Sequence, residues 1–490
     1  MFTRHAHSGA AAIKVVVASF LLIFGLFFFW RSLFPQSNTI SLHPQSWSLS
    51  RNRNLTAIAY PPELIKFWQE LAATLEQAQP QCPPISVPPG PPPDNMTHFD
   101  PDDPFKQRPE RLSLTPSDTQ ALSAAHRFMK TRSRQLAPSL YFTPKTKGIV
   151  TTAAPRHIPI LLVSLRMLRR SGSNLPVEVF LGSWDEYNAT ICENLLPALN
   201  ARCRVLSDIY DRAPQATPLV NFQFKIFAIL FSSFSSVLFL DADAFPANNP
   251  DSIFTHEPYL THGLVTWPDI FANTASAHYF HIAAIPEVPI HTRLSTESGQ
   301  LLLNKSLQAS TLLLIAYYNY YGPTHYYPLL CQNSHGAGDK ETFIHAALAL
   351  DMPFYQLKTA PWALGHWKND SFHLIAMGQH DSYDDWSLPA YPIPDKDASL
   401  RQTPRPLFIH HHFQKLDPSH LMHPDGPTRD VEGKFQRMWG PRSTIVEAFG
   451  RDVEKEVWEE VMGVGCMLGG AQTCEEIKEY YGTVFNDSST

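Results

Sequence analysis

A chain of 490 residues, 44% of them apolar and 17% charged, is long enough to bury a large core and to divide into about two or three domains. A formal net charge of −6 and the lack of any basic face with interleaved aromatics exclude a nucleic-acid binder. The 43 prolines require long loops and linkers, and no internal repeat is visible.

The chain opens with an apolar run, Val15 to Trp30, broken only by Ser19. Arg4 and Lys14 precede it and Arg31 closes it. Bulky Phe27, Phe28, Phe29 and Trp30 occupy the end of the run, where a cleavable signal peptide needs small residues. The run therefore reads as a transmembrane signal anchor over residues 15–31, short enough to suit an early-secretory bilayer. Charge on its amino side leaves residues 1–14 in the cytosol and the rest in the lumen. Asn-x-Ser/Thr triplets at Asn54, Asn95, Asn188, Asn304, Asn369 and Asn486 agree with a lumenal body.

Residues 32–115 read as a stem and a proline-rich linker. Within them Pro62 to Gln79 has helical spacing through Leu64, Phe67, Trp68, Leu71 and Leu75, which packs a helix on the body or its neighbour. Pro80 to Pro116 is rich in proline and acids, hence extended and outside any core, with Cys82 as a candidate tie. Pro116 to Arg134 is a second helix, with Ser117 as its expected N-cap.

From Lys147 strands and helices alternate. Gly148 to Ala154 is a strand, Ile158 to Arg170 an amphipathic helix, and Val177 to Gly182 a strand. Trp184 to Leu199 is mostly helical, Cys203 to Leu206 a strand, and Phe222 to Phe234 a helix. This alternation predicts a parallel sheet covered by helices on both faces. The next strand, Val237 to Leu240, is wholly apolar and stops at Asp241-Ala242-Asp243. Two carboxylates at the carboxyl end of a buried strand stand where open α/β sheets bind ligands. With diphosphate oxygens and one more ligand they can complete the shell of a hard divalent cation. A solvated loop after a core strand is the plainer alternative.

Other nucleotide signatures are absent: there is neither a P-loop nor a Gly-x-Gly-x-x-Gly. Thr151 and Thr152, ending the first strand, are candidates for contact with a base or ribose. Lys225 lies among Phe222, Phe224, Ile226 and Phe227 and can reach a diphosphate as a point charge. His410 follows the apolar strand Leu407 to Ile409 and is the preferred third metal ligand, with His412 as the alternative. Strand alternation sends His410 and His412 to one side and His411 to the other. The tail from Asp430 to Tyr481 reads as helices, Thr444 to Val461 and Glu475 to Tyr480, covering the sheet's edge.

The six cysteines contain no Cys-x-x-Cys pair, which disfavours zinc. An even count in a lumenal chain favours disulfides, first Cys466 with Cys474 and then Cys192 with Cys203. Buried free thiols are the alternative.

Five segments occur in one order: Phe222-Gln-Phe-Lys225 through Asp241-Ala-Asp243; Gly263-Leu-Val-Thr-Trp267-Pro-Asp269; Glu297-Ser-Gly-Gln-Leu-Leu-Leu-Asn-Lys305; Tyr326-Tyr-Pro-Leu-Leu; and Gly338-Asp339-Lys340-Glu341-Thr-Phe. Together, over roughly Gly148 to Pro418, they resemble the fungal Mnn-type α-1,2-mannosyltransferase family. The resemblance implies an α/β fold of GT-A type, Golgi residence, GDP-mannose as donor and a divalent cation, usually manganese. It also implies retaining transfer to mannose-containing glycans of mannan or glycoproteins, within a mannosyltransferase complex in some cases. It marks Asp339 and Glu297 as catalytic candidates, Gln300, Lys225 and Asp241 as donor-binding candidates, and Asp243 as the surer metal ligand. Trp267 and Asp269 are candidates for the acceptor cleft. One departure stands out: where the family has His-x-Asn-x-Pro-Lys, this chain has His410 to Lys415, with His412 in place of the asparagine and Gln414 in place of the proline.

The domain division expected from all this is a catalytic unit over residues 116–430 and a C-terminal helical segment over 431–490. Two chemical routes stay open: attack of the acceptor hydroxyl from the departing side, and a covalent carboxylate intermediate. A UDP-sugar transferase of the same fold and a non-catalytic subunit of a mannosyltransferase complex are the competing functions. A secreted glycosidase is disfavoured, because it needs neither an anchor nor a diphosphate site.

Overall fold

The computed structural model describes residues 60–388 and 403–486. The expected anchor, the cytosolic tail and the first part of the stem lie outside the described residues. No helix among the described residues is long and apolar enough to cross a membrane.

Eleven strands are described: β1 (Thr143–Thr152), β2 (Val177–Leu181), β3 (Ala201–Val205), β4 (Phe234–Leu240), β5 (Ala244–Pro246), β6 (Leu264–Ala272), β7 (Leu294–Asn304), β8 (Tyr355–Gln356), β9 (Trp362–Lys368), β10 (Ser371–His380) and β11 (Pro406–His410). The main sheet has the order β3-β2-β1-β4-β7-β6-β8, and a second sheet the order β5-β11-β10-β9. Strands β3, β2, β1 and β4 run parallel, as the alternation predicts. β7 then joins β4 antiparallel, and β6 joins β7 antiparallel. The fold is α/β with a mixed sheet. An apolar run buried on both faces reads alike in either direction, so the switch at β7 is invisible to hydrophobic pattern.

Alternation along β4 divides its side chains between two cores. Val237 and Phe239 face one layer with the helices Pro62–Gln77, Gln223–Phe231, Ala309–Tyr320 and Thr342–Leu350. Leu238 and Leu240 face the other, with the helix Ile158–Arg170, the second sheet and the helix Val453–Leu468. Tyr317, Tyr318 and Tyr326 are fully buried in the first layer, so the tyrosine-rich stretch is core.

Several local expectations shift. The helix Pro62–Gln77 buries Leu64, Trp68, Leu71 and Leu75 completely, and Trp68 Nε1 donates to the Tyr210 carbonyl at 2.8 Å. That segment packs within the body although its position groups it with the stem. In the strap that follows, Leu112 is buried in the same core, while Arg108 donates to the Ala275 carbonyl at 2.7 Å. The strap is thus held by side-chain anchors, and Cys82 stays a free thiol. The helix Pro116–Leu136 is capped by Thr115 rather than Ser117, because Pro116 occupies its first turn. Thr115 Oγ1 accepts from Asp118 N at 3.1 Å, and the Asp118 carboxylate accepts from Thr115 N at 3.3 Å.

Trp184 to Leu199 holds a short 3₁₀ turn, a π-helical stretch Thr190–Leu195 and one α turn in place of a regular helix. The disulfides Cys192–Cys203 and Cys466–Cys474 form as expected, and Cys331 is free and buried. Gly450, at φ 73°, breaks the expected tail helix into Arg442–Phe449 and Val453–Leu468. Val453–Leu468 packs on the helix Ile158–Arg170, where Arg166 Nε and Glu460 pair at 2.5 Å, instead of lying along a sheet edge.

Candidate active site

The sheet's carboxyl ends open into a cleft of about 900 Å³. β4 ends at Leu240, and the chain turns with Ala244 N donating to the Asp241 carbonyl at 3.0 Å. Asp241 N donates to the Gly299 carbonyl at 2.8 Å, which pins the turn to β7. β5 leaves for the second sheet, where Ala244 lies opposite His410 of β11. That register brings together the ends of two strands about 170 residues apart, a separation fixed by β-pairing. Asp241, Asp243 and His410 each offer one ligand atom, all within 4.8 Å of one another. Two carboxylates and one imidazole nitrogen suit a divalent cation of the manganese type, so the donor set fits the group that the resemblance implies.

His410 Nδ1 lies 2.8 Å from Glu297 Oε1, and Nε2 lies 3.3 Å from Asp243 Oδ1. Burial disfavours charge on this ring, but Glu297 and Asp243 outweigh it and raise its pKa to about 10. Burial likewise opposes the Asp243 carboxylate, yet His410 and Lys415 hold it well below the usual range. Lys415 Nζ makes an ion pair with Asp243 Oδ2. Burial pushes Asp241 up in spite of Lys225 beside it, and Asp243 adds to the rise.

Lys225, buried on the helix Gln223–Phe231, ties the other side of the cleft together. Its ammonium donates to the Ser298 carbonyl at 2.7 Å and to Ser298 Oγ at 3.0 Å. It also lies 3.3 Å from Asp241 Oδ2 and 3.2 Å from Asp339 Oδ2. Burial works against this charge, but Asp241, Asp339 and Glu297 raise its pKa overall.

β7 carries a bulge here. Its pairing with β6 jumps from Leu301 opposite Thr266 to Glu297 opposite Trp267, leaving Ser298, Gly299 and Gln300 unmatched. A bulge re-aims side chains, and this one turns Glu297 and Ser298 into the cleft. Gly299 has a steric reason to be glycine: a Cβ there would collide with the His410 ring. Ser298 Oγ donates to Asp339 Oδ1 at 3.2 Å. The loop carrying Asp339 is anchored by its neighbours. Lys340 Nζ donates to the His335 carbonyl at 2.7 Å and pairs with Asp269 at 3.0 Å, and Glu341 Oε1 accepts from Thr296 N at 2.6 Å.

Of the residues singled out from sequence, Asp241, Asp243, His410, His412, Lys225, Glu297, Asp339 and Asp269 line the cleft. Thr151 does not: it is buried beneath, beside Leu161 and Leu240, and its neighbour Thr152 lines the cleft instead. Strand alternation gives only one of the two threonines to that face. Gln300 is also fully buried and donates to Glu297 from behind. Trp267 is core, its Nε1 donating to the His380 carbonyl at 2.8 Å. The His412 ring lies 4.6 Å from the His410 ring, tilted by 37°, but stays outside the three-residue ligand group. His411 points away as alternation requires, accepting from Trp439 Nε1 at 3.0 Å. Sequence reasoning passed over Lys415, Ser298, Arg156 and His157, all of which line the cleft. The lysine ending the His410 to Lys415 run was the one available signal among them.

A family model described as "Mannosyltransferase putative" matches residues 146–293 and 287–381, which include the acid pair, the β7 bulge and the Asp339 loop. The chain is 31% identical over 441 residues to Alpha-1,2-mannosyltransferase MNN21 of Candida albicans, covering 75% of this chain and 66% of that one. It is 32% identical over 384 residues to Alpha-1,2-mannosyltransferase MNN2 of Saccharomyces cerevisiae, covering 64% of each. The chain thus spans just under two thirds of the length of these curated relatives. Among solved structures, a galactosyltransferase LgtC complex with donor and acceptor sugar analogs aligns at 12% identity over 43% of this chain and 72% of that one. Its TM-score of 0.28 is too low to bear on the fold. Two relatives of one activity name, and a family model whose match spans the cleft's acids, make this chain a member of the fungal Mnn-type α-1,2-mannosyltransferase family.

Proposed function

We propose that the chain is a membrane-anchored Golgi glycosyltransferase of GT-A type, moving mannose from GDP-mannose to a mannose-containing glycan in α-1,2 linkage with retention. The observation that carries this reading is the convergence of Asp241, Asp243 and His410 at the carboxyl end of β4, in a cleft that also holds Lys225 and Asp339. The names of the relatives, each an alpha-1,2-mannosyltransferase, support the sugar and the linkage.

Asp241, Asp243 and His410 Nε2 are the atoms that would hold a divalent cation, which when bound neutralises charge on a departing diphosphate. Lys225 pairs with Asp241 and Lys415 with Asp243, and the two supply fixed positive charge to the same leaving group. Their ammonium groups are already held in place, Lys225 by acceptor atoms on three residues, so little reorganisation is needed when charge develops. Asp339, oriented by Lys225 and Ser298, presents a carboxylate to the cleft for the sugar hydroxyls or the anomeric carbon.

The test is a donor assay on the purified chain with GDP-mannose, UDP-galactose and UDP-glucose, a mannose oligosaccharide as acceptor, and linkage analysis of the product. Transfer from GDP-mannose alone, with an α-1,2 product, is expected. Turnover of a UDP-sugar with none from GDP-mannose would overturn the reading.

A further inference from the structure

We infer that Glu297 is a positioning residue for the cation site, acting through His410, rather than a group that works on the sugar. The inference rests on the cation reading above and adds to it a division of labour between the two acids of the cleft.

Both oxygens of Glu297 are engaged within the protein. Oε1 accepts from His410 Nδ1 at 2.8 Å and from Gly299 N at 2.6 Å, and Oε2 accepts from Gln300 Nε2. The side chain is 7% exposed. A carboxylate is an acceptor only, so the hydrogen of a neutral His410 ring belongs on Nδ1. With a cation in place of the ring's second proton, the Nε2 lone pair would face the ligand group that it forms with Asp241 and with Asp243, whose Oδ1 is 3.3 Å away. A carboxylate behind a ligating histidine fixes its tautomer and ring plane. The bulge in β7 has this consequence: it delivers Glu297 to the back of the imidazole, and Gly299 leaves the ring room to stand. Gln300 and Gly299 hold the carboxylate in turn. Asp339 differs in kind, because its oxygens meet Lys225 and Ser298 and have no contact with His410.

Manganese alone, titrated into the full chain and followed by the electron paramagnetic resonance of free Mn²⁺, tests this without any sugar transfer. Glu297→Ala is expected to weaken Mn²⁺ binding about 10–100-fold. In a His410→Ala background the same substitution should change affinity by less than about twofold, since its effect passes through the ring. Glu297→Gln, whose amide oxygen accepts the same hydrogen bond, should bind Mn²⁺ more tightly than His410→Ala. This variant also keeps the test open should the alanine variant fail to fold. An equal loss in both backgrounds, no loss in the wild-type background, or a Gln variant no better than His410→Ala would overturn the inference while leaving the cation site standing. A wild-type chain that binds no Mn²⁺ would overturn the cation reading and this inference with it.

Discussion

Replacing Lys225 by methionine keeps the length and apolar stem of the side chain and removes only its charge. In the wild type that ammonium lies 3.3 Å from Asp241 and 3.2 Å from Asp339 and donates to Ser298 at 2.7 Å. The variant leaves the buried Asp339 carboxylate, the partly exposed Asp241 carboxylate and a buried carbonyl without their cation. Breaking a buried pair of this kind costs about 3–5 kcal/mol. The cost should depend on pH in a defined direction. Burial already raises Asp241 above its ordinary 3.8, and Lys225 is the group that opposes the rise. Without it the folded-state pKa climbs further, so the folded variant takes up a proton before its unfolded chain does. Stability of the variant therefore recovers as pH falls, by at most about 1.4 kcal/mol per pH unit between that raised pKa and the ordinary 3.8. Urea unfolding of Lys225→Met and wild type at pH 8 and pH 5 measures both quantities. A loss under about 1 kcal/mol at pH 8, or a gap that widens in acid, would refute the reasoning.

Three other outcomes follow from the same packing. Gly299→Ala drives a methyl into the His410 ring and should cost about 1–3 kcal/mol of stability, with weakened Mn²⁺ binding; calorimetry that finds neither change refutes the stated reason for the glycine. Trp68→Ala, in a helix whose position suggests a stem, should cost about 3–5 kcal/mol in chemical unfolding, and a loss below about 1 kcal/mol would put that helix outside the body. Glu341, opposed by burial but held well below its ordinary 4.5 by Arg293 and His345, contributes stability that is complete above about pH 4.5 and is lost as pH falls. Glu341→Gln should therefore be less stable than wild type at neutral pH, and the gap should narrow by about 1.4 kcal/mol per pH unit below 4.5; unfolding curves from pH 3 to 7 that stay parallel would contradict this.

How far the sequence could be read depended on whether a signal was local. β4 and its acids were legible because an apolar run ends abruptly in charge, and the helix Ile158–Arg170 was legible to the residue. The face of Thr151 was not, since alternation needs a register, and two adjacent threonines do not supply one. Gln300 went astray for a related reason: the β7 bulge shifts inward and outward positions, and no glycine or proline pattern marks a three-residue insertion unambiguously. The pairing of Glu297 with His410 joins residues 113 positions apart and is created by two sheets meeting. Lys415 lies on a loop with no periodicity, where only tertiary contact with Asp243 gives it meaning. The core role of the helix Pro62–Gln77 was half legible: its apolar stripe announced a partner, but not that the partner was Tyr210, Phe227 and Phe231.

In the proposed reaction Asp241, Asp243 and His410 grip a cation beside a nucleotide diphosphate. Anomalous diffraction at the manganese edge, from crystals grown with Mn²⁺ and GDP, tests it most directly. A single strong peak within about 2.0–2.3 Å of one oxygen from each aspartate and of His410 Nε2 is the result expected. GDP bound in the cleft with no peak at those atoms, or with manganese held elsewhere, would contradict it.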